Sequence, residues 1–594
     1  MSRRAHGQIR SGQVITTYGP GALIDLPRDS AIVGGLETWP NAAHLEEIIE
    51  PRLSGKLRNL TGVPAPKLYA PPPSSSDPRD LNRGIGAWRF PEWVLVQEAR
   101  GGDRRERSRR LVPRSAVERG KFDGRPVVPT RFVRACPKGH VDDVDWRRFA
   151  HNDEPGCSRQ LWLDERGTSG DLADLTVRCE CGKSRGLYEA AVIESKPLGT
   201  CLGKRPWLGR GSAEGCNQPA RLLIRTASNA YFPQVVSVLS LPDRASAVES
   251  AAIELWDDLQ IVQTADDLAL LKRKPKISHR LATFSDDEVL KAIDAIKRGR
   301  DSDRPVKEVE MNALLAAPEG YGDDVPVDPN FHARKLPDRV WRRSGRSEGI
   351  EAVIQLHRLR EVLALVGFTR FEAVTADTHG EYESDVERAQ IALEPAWFPA
   401  VENRGEGLFI QLRGEAVRVW LKREDVKRRL DGLMTGHARW MQNRSSRREF
   451  PGGPYVMMHT LSHLLIQSLA MRCGYPASSI RERIYAEPKG FGILLYTGSP
   501  DAEGTLGGLV QQALHIEDHL ANALRVAELC SNDPICAQHE PGTSMEERWL
   551  HGAACHGCAL VSETSCEMRN DYLDRALVVP TLAVPGAAFF NTSA

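Results

Sequence analysis

The sequence has no excess of charge of either sign, since lysine plus arginine and aspartate plus glutamate both number 79. A protein that binds nucleic acid over its whole surface carries a strongly basic balance, and this composition excludes that class. Contacts with phosphate groups would have to come from local basic patches. Apolar residues make up 41% and charged residues 27% of the chain, as is typical of a globular protein.

Long hydrophobic runs are also missing. No run of about 18 apolar residues occurs, so we expect no membrane span. The start MSRRAHGQIRSGQ has no apolar core after its basic residues and lacks the pattern of a secretory signal. We therefore expect a cytoplasmic protein, in which thiols stay reduced and clustered cysteines bind metal more often than they form disulfides.

The motifs of the common enzyme classes are absent as well. The nearest approach to a nucleotide-binding P-loop is GKS at 182–184, but Val177 stands where that loop requires its first glycine. The sequence has no HExxH, GxSxG or dinucleotide-binding fingerprint. An ATPase, hydrolase or dehydrogenase therefore has no support in the sequence, and we expect a chain that is not an enzyme and has no ATPase site.

Cysteine is absent from the first 135 residues, and most of its 12 copies then fall into two clusters. In the first cluster, CECGKSRGLY has two thiols one residue apart before a glycine, which lets the chain turn around a tetrahedral ion. Two more thiols follow in glycine-rich stretches. We expect one structural zinc site made of Cys179, Cys181, Cys201 and Cys216.

The same cluster contains Cys136, His140 and Cys157, for which two interpretations stay open. In the first interpretation, they are three ligands of a second zinc ion whose fourth ligand is not evident. Alternatively, Cys136 is a buried strand residue and His140 forms ordinary hydrogen bonds.

The second cluster contains five thiols for four ligand positions. Cys555 and Cys558 have the two-residue spacing of a zinc knuckle, and Cys566 follows them. We expect Cys536 to be the fourth ligand, with Cys530 as its competitor. Cys473 stands alone.

His459 and His463 are four residues apart on a predicted apolar helix and share one face. Such a pair is more often a polar stripe hydrogen-bonded inside a core than a catalytic or metal site. The alternative function, a nuclease or phosphodiesterase, would use this pair or the acids Asp501 and Glu503 in a glycine-rich loop.

Basic side chains are concentrated at 99–114, 333–346 and 443–450. A solvated loop is the ordinary interpretation of such a run, and contact with phosphate is the functional one. In the second patch, Trp341 either stacks on a base or anchors the loop to the core. The candidate nucleic-acid-binding residues are Arg104, Arg105, Arg107, Arg109, Arg110, Arg342, Arg343, Arg447 and Arg448.

The chain is long enough for roughly three to five domains. We divide it into 1–130 with an arginine-rich loop, 131–245 with cysteines and short strands, 246–345 with charged helices, 346–450 of mixed type and 451–594 with the second cysteine cluster. The pattern predicts a helix over 348–368 (EGIEAVIQLHRLREVLALVGF) and buried strands at GLFIQL and GILLYTG.

Several long motifs carry a family resemblance. YVMMHTLSHLLI, SIRERIYA, GILLYTGSPDAEGTLGGLV and GAACHGCALVSETSCEMRNDYLDRALV together resemble the cysteine-containing C-terminal domain of MrfA-type helicases. The whole chain is similar to the DrmB family of DISARM anti-phage systems, whose pattern is matched by SGQVITTYGPGALIDLPRDSAIVGGLETW, RFVRACPKGHVDDVDW and TASNAYFP.

The resemblance implies a multidomain α+β protein with zinc-stabilised, cysteine-rich segments and a C-terminal helicase-associated α/β domain. It implies a DrmA-like helicase as partner, in a complex that engages DNA and blocks phage genomes lacking host methylation. Zinc ligation carries over onto Cys555 and Cys558, and with them onto Cys536 or Cys530 and onto Cys566. The resemblance assigns no catalytic residue.

Overall fold

The structure is a computed structural model. It describes residues 9–590 except for 74–83, 98–105, 153, 155, 167–169, 193–195, 210, 242–247, 249–250, 253, 299–304, 323–327, 344–346, 348, 383–387, 445–447, 488–489, 499–507 and 543–547.

The α-helices of the described chain are α1 (Ser11–Thr16), α2 (Pro51–Thr61), α3 (Trp146–Ala150), α4 (Trp256–Leu259), α5 (Ala265–Leu271), α6 (Pro275–Leu281), α7 (Asp286–Arg298), α8 (Val306–Leu315), α9 (Asp338–Trp341), α10 (Gly414–Trp420), α11 (Glu424–Arg444), α12 (Gly453–Cys473), α13 (Gly508–Gln512) and α14 (Ile516–Ala527).

The strands are β1 (Leu23–Leu26), β2 (Asp29–Val33), β3 (Lys67–Tyr69), β4 (Ala87–Arg89), β5 (Trp93–Val96), β6 (Glu106–Pro113), β7 (Lys121–Phe122), β8 (Arg125–Pro129), β9 (Phe132–Ala135), β10 (Val141–Asp142), β11 (Leu161–Arg166), β12 (Leu175–Cys179), β13 (Ser184–Gly186), β14 (Arg221–Ile224), β15 (Phe232–Leu239), β16 (Phe331–Lys335), β17 (Ile350–Thr369), β18 (Trp397–Leu412), β19 (Ile480–Glu487) and β20 (Gly490–Thr497). Helices and sheets thus occur together, which confirms the α+β class.

A central sheet joins distant parts of the chain in the order β15-β17-β18-β20-β19, and β16 and β3 add to β17 and β18. The β3–β18 pair is parallel and the other pairs are antiparallel. Its strands come from all five of the domains predicted from the sequence. These parts of the chain therefore share one sheet and do not each fold around a sheet of their own.

The helix predicted for 348–368 is wrong, because this segment forms the 20-residue strand β17. Both faces of β17 are covered. Val353 packs in the core that contains α12, whereas the next residue, Ile354, packs in a second core with Phe409 and Tyr485. A strand buried on both faces is a continuous apolar run, and periodicity does not distinguish such a run from a buried helix. The strands predicted at GLFIQL and GILLYTG are confirmed in β18 and β20.

Helix α12 lies in the largest core and is buried on nearly every side. This explains its lack of a polar face. The helix packs against β19, β20 and α14, so it connects the central sheet to the C-terminal part of the chain. Within the described residues, no helix combines the length and apolarity required to span a bilayer.

The N-terminal half contains a second large sheet in the order β13-β12-β11-β6-β5-β8-β7 and a small sheet in the order β10-β9-β14. Turns of these two sheets position the first cysteine cluster. The charged segment that follows is helical, as predicted, and α4 to α7 pack around a core of their own that includes Leu259, Ile277 and Val289.

Candidate metal centres

Four groups of side chains in the described chain are able to hold a metal ion, and within each group the candidate ligand atoms all lie within 4.8 Å of one another. Three groups are rich in sulfur. We name them centre 1 (Cys136, His140, Cys201, Cys216), centre 2 (His151, Cys157, Cys179, Cys181) and centre 3 (Cys530, Cys536, Cys555, Cys558).

The sulfur–sulfur distances distinguish metal ligation from disulfide formation. The Sγ atoms of Cys157 and Cys179 are 3.6 Å apart, and those of Cys555 and Cys558 are 3.7 Å apart. A disulfide bond is only about 2.05 Å long. Tetrahedral zinc with bonds of about 2.3 Å separates its sulfur ligands by roughly 3.8 Å. The thiols are therefore spaced as zinc ligands.

Centre 1 begins at the turn between β9 and β10. Gly139 has a φ of +87°, and the backbone N–H of Cys136 donates to the carbonyl oxygen of His140 at 3.1 Å. This turn brings Cys136 Sγ to 3.4 Å from His140 Nδ1. Cys201 and Cys216, from the two following loops, complete the group.

The surroundings of centre 1 favour bound metal. His140 Nε2 lies 2.7 Å from Glu214 Oε1, an arrangement that orients a metal-binding imidazole and raises its basicity. A hydrogen bond from the Cys136 thiol lowers the pKa of Cys201 to about 4. The thiolate is the form that binds metal.

Centre 2 uses the hairpin between β12 and β13. Gly182 has a φ of +95°, and the backbone N–H of Cys179 donates to the carbonyl oxygen of Lys183 at 2.8 Å. This hairpin presents Cys179 and Cys181 together. A backbone hydrogen bond from Lys183 lowers the pKa of Cys181 to about 6, whereas burial raises the pKa of Cys179 to about 11.

His151 completes centre 2 from the C-terminal end of α3. Its Nδ1 lies 2.7 Å from the carbonyl oxygen of Arg147, and its Nε2 lies 3.2 Å from Cys181 Sγ. The carbonyl group only accepts, so Nδ1 carries the hydrogen and Nε2 faces the thiols with its lone pair. Sequence reasoning missed His151, because it stands six residues before Cys157 outside any recognisable knuckle.

Centre 3 consists of four thiols near the C-terminus. Cys530 Sγ is 3.4 Å from Cys555 Sγ, and Cys536 Sγ is 3.8 Å from Cys558 Sγ. The backbone N–H of Gly557 donates to Cys555 Sγ at 3.3 Å. A hydrogen bond from the Cys558 thiol lowers the pKa of Cys536 to about 6.

The single site expected from Cys179, Cys181, Cys201 and Cys216 is divided between two centres. Cys179 and Cys181 lie in centre 2, and Cys201 and Cys216 lie in centre 1. Along the sequence, all four ligands of centre 2 lie between His140 and Cys201 of centre 1. The β9–β10 and β12–β13 turns each supply two ligands, and sheet packing, rather than closeness in sequence, decides which other loops complete each centre.

In the second cluster, the structure groups Cys530 and Cys536 with Cys555 and Cys558. Cys566, expected as a ligand there, lies apart in the core with its Sγ 3.1 Å from His459 Nε2. One turn of α12 beyond His459, His463 is also fully buried, with 0% exposure for each histidine. Neither imidazole is able to reach a phosphodiester. Asp501 and Glu503 lie outside the described residues.

Most described candidate arginines are engaged within the protein. Arg109 pairs with Glu165 at 2.6 Å, and Arg110 pairs with Asp123 at 2.7 Å. Arg107, on the same strand, is exposed. Arg104 and Arg105 lie outside the described residues.

The other two patches follow the same pattern. Arg342 donates to the carbonyl oxygens of Ile350 and Glu351, and Arg448 lies over the ring of Trp440. Arg343 is exposed, and Arg447 lies outside the described residues. Trp341 is 1% exposed and belongs to the largest core, so it anchors its loop and is not available for stacking on a base.

Comparison with known proteins adds to this geometry. Residues 461–559 match the family described as MrfA Zn-binding domain, and this range contains all four ligands of centre 3. Residues 10–232 match the family described as Domain of unknown function (DUF8724), and centres 1 and 2 both fall within it. The predicted zinc cofactor is confirmed by the zinc-binding family together with the clusters.

The chain is 33% identical over 479 residues to the DISARM protein DrmB of Bacillus paralicheniformis. The aligned part covers 78% of this chain and 82% of that protein. The resemblance inferred from the sequence motifs is thus confirmed. The chain belongs to the DrmB family of DISARM proteins.

Proposed function

We propose that the chain is a non-catalytic, zinc-bearing subunit that associates with a DrmA-like helicase in the cytoplasm. The two proteins form a DNA-binding complex that acts in antiviral defence. The helicase supplies nucleotide hydrolysis, and this chain supplies a rigid surface that binds the helicase and part of the DNA path.

The observation that carries this proposal is the position of centre 3. Its thiols lie within the range that matches the MrfA Zn-binding domain. The sequence motifs of this region resemble the C-terminal domain of MrfA-type helicases. The same range includes most of α12 and all of β19 and β20, which belong to the central fold. A zinc module built into the main fold is suited to a subunit that holds a partner in a fixed position.

Exposed apolar side chains beside centre 3 provide a candidate contact with the helicase. Leu529 directly precedes Cys530 and is 68% exposed, and Ile535 directly precedes Cys536 and is 72% exposed. Val526, one turn before Leu529, is also exposed. Exposed apolar groups of this kind mark protein contacts when they occur together.

Co-purification with the helicase subunit tests the proposal. We expect the double variant Leu529→Asp with Ile535→Asp to reduce the recovered complex at least tenfold, since two charges would be buried in an apolar contact. Ile261→Asp is the matched control, because Ile261 is also 68% exposed but lies in the separate helical segment. Equal recovery of the double variant and the wild type would contradict the proposed contact. Failure of the wild-type proteins to associate would contradict the proposed function.

A further inference from the structure

The fourth group of potential ligands lies deep in the protein, where α12, β19 and the C-terminal segment meet. His459 and His463 are one turn apart on α12, Glu482 is on β19, and Cys566 is in the C-terminal segment. All four side chains are buried. The function proposed for the chain makes no use of this group.

The four inward-facing ligand atoms all lie within 4.8 Å of one another, close enough to share one ion. Glu482 Oε1 lies 3.0 Å from His459 Nε2 and 3.3 Å from His463 Nε2. Cys566 Sγ lies 3.1 Å from His459 Nε2. Tetrahedral zinc bound by nitrogen, oxygen and sulfur separates such pairs by roughly 3.3–3.6 Å, so an ion would move these atoms apart by only a few tenths of an ångström. The two imidazole planes are 82° apart, so the rings approach the common point from different directions.

The outer sides of both imidazoles face backbone carbonyl groups. His463 Nδ1 lies 2.8 Å from the carbonyl oxygen of Ala559, and His459 Nδ1 lies 3.3 Å from that of Tyr572. A carbonyl oxygen only accepts, so each Nδ1 carries the hydrogen, and in a neutral ring each Nε2 then presents a lone pair to the interior. Metal-binding histidines are held in this way.

The other two ligands are held from outside as well. Ser462 Oγ donates to Glu482 Oε2, which leaves Oε1 directed inward. Cys566 Sγ accepts hydrogen bonds from the backbone N–H groups of Asn570 at 3.1 Å and Met568 at 3.4 Å. Donors aimed at sulfur stabilise a thiolate.

We propose that His459, His463, Glu482 and Cys566 bind one zinc ion as a closed, structural centre. Two neutral imidazoles, one carboxylate and one thiolate are ligand types that zinc accepts. The two anionic ligands balance the charge of Zn²⁺, so the complex is neutral where a net charge would be costly to bury. The ion joins α12, β19 and the C-terminal segment.

This centre is distinct from centre 3. His459 and Cys566 lie outside the range that matches the MrfA Zn-binding domain, so that match does not contain the full ligand set. The burial of all four ligands leaves no open position for a substrate, which is why we assign the ion to structure rather than to catalysis. The inference is independent of any partner protein.

The alternative is a metal-free network of hydrogen bonds. For both imidazoles to donate to Glu482 as well as to their backbone carbonyls, each ring has to carry two protons. Two imidazolium ions would then lie in the core beside Glu482, while the nearby carboxylate of Glu567 is already paired with Lys307 at 2.8 Å. This alternative predicts no ion at the position, so detection of the ion distinguishes the two arrangements.

Anomalous diffraction from crystals of the full chain tests the proposal without any substitution. Data collected above and below the zinc absorption edge are expected to show a peak between His459 Nε2, His463 Nε2, Glu482 Oε1 and Cys566 Sγ. An empty position, or a peak that belongs to another metal, overturns the assignment.

Native mass spectrometry of the purified full chain gives a second measurement. We expect Cys566→Ala and His463→Gln each to contain one zinc ion fewer than the wild type. Cys473→Ala is the control, since Cys473 ends the same helix but lies outside the four groups, and it should retain the wild-type content. Unchanged zinc in both ligand variants overturns the proposal. If these variants fail to fold, the anomalous diffraction result alone decides whether zinc is bound at this position.

Discussion

His463 Nδ1 lies 2.8 Å from the carbonyl oxygen of Ala559, the residue that directly follows Cys558 of centre 3. This contact connects a largely buried helix of the central fold to the zinc knuckle near the C-terminus. The knuckle is thus a structural part of the core and not an appended module. Loss of the ion from centre 3 should therefore destabilise the whole C-terminal half of the chain.

Replacing Cys555 and Cys558 together with serine should remove one zinc ion and destabilise this half, because structural zinc contributes directly to the free energy of folding. Elemental analysis measures the ion, and limited proteolysis between 451 and 590 reports the loss of structure. Cys473→Ser is the control and should resemble the wild type. Unchanged zinc in the double variant would contradict the assignment of centre 3.

Centres 1 and 2 should lose their ions independently. We expect Cys179→Ser with Cys181→Ser to remove one zinc ion, Cys201→Ser with Cys216→Ser to remove another, and the four substitutions together to remove two. If all four thiols shared one ion, every variant would lose the same single equivalent. Zinc content by elemental analysis distinguishes the two arrangements.

Glu361 should make the central fold sensitive to acid. Burial opposes its ionisation, but Arg481, at 3.0 Å, and Arg483 hold the pKa of this carboxyl below its usual 4.5. The ionised form is therefore the stabilising one. Its contribution is complete above pH 4.5 and is lost as the pH falls through the lowered pKa of the folded state.

The variant Glu361→Gln tests this contribution. At pH 7 it should lower the free energy of unfolding by about 3 kcal/mol, because it leaves the half-buried Arg481 without its acid partner. The difference in stability from the wild type should narrow as the pH falls below 4.5. Denaturant unfolding at several pH values measures the difference in unfolding free energy between the variant and the wild type. A difference that stays constant or widens at low pH would contradict a stabilising role for ionised Glu361.

Arg107 and Arg343 are the described candidates that remain exposed, and they should contribute to DNA binding by the complex with the helicase. Reversing both to glutamate should weaken binding and lower the slope of log affinity against log salt by about 1 for each phosphate that is no longer bound. Lys276→Glu with Lys291→Glu, both on the separate helical segment, makes the same change in net charge and is the control. An unchanged salt slope would remove these two residues from the DNA path.

The purified chain without its partner should show no ATP hydrolysis, since Val177 replaces the first glycine that a P-loop at 182–184 would need. A sensitive phosphate-release assay with and without DNA measures this. Turnover that survives further purification and scales with the concentration of the chain would contradict the assignment of all nucleotide chemistry to the helicase.

The pattern of apolar residues gave the wrong secondary structure at β17, where it predicted a helix. Its residues form a long apolar run because the sheet has a core on each face, and the same composition is typical of a buried helix. By contrast, the apolar helix predicted to carry His459 and His463 is confirmed as α12, whose 21 residues exceed the length of an ordinary strand. Burial on two sides removes the alternation from which a strand is normally recognised.

The sequence by itself determined the chemistry of this protein. Reduced, clustered thiols beside glycines specify zinc, and local spacing sets which two ligands lie on one turn, as in Cys179 with Cys181 or Cys555 with Cys558. Only the tertiary structure decided which turns share an ion, and it placed Cys566 against His459 in the core. The physical reason is that a tetrahedral centre needs ligands from separate parts of the chain, and the packing of sheets and helices brings those parts together.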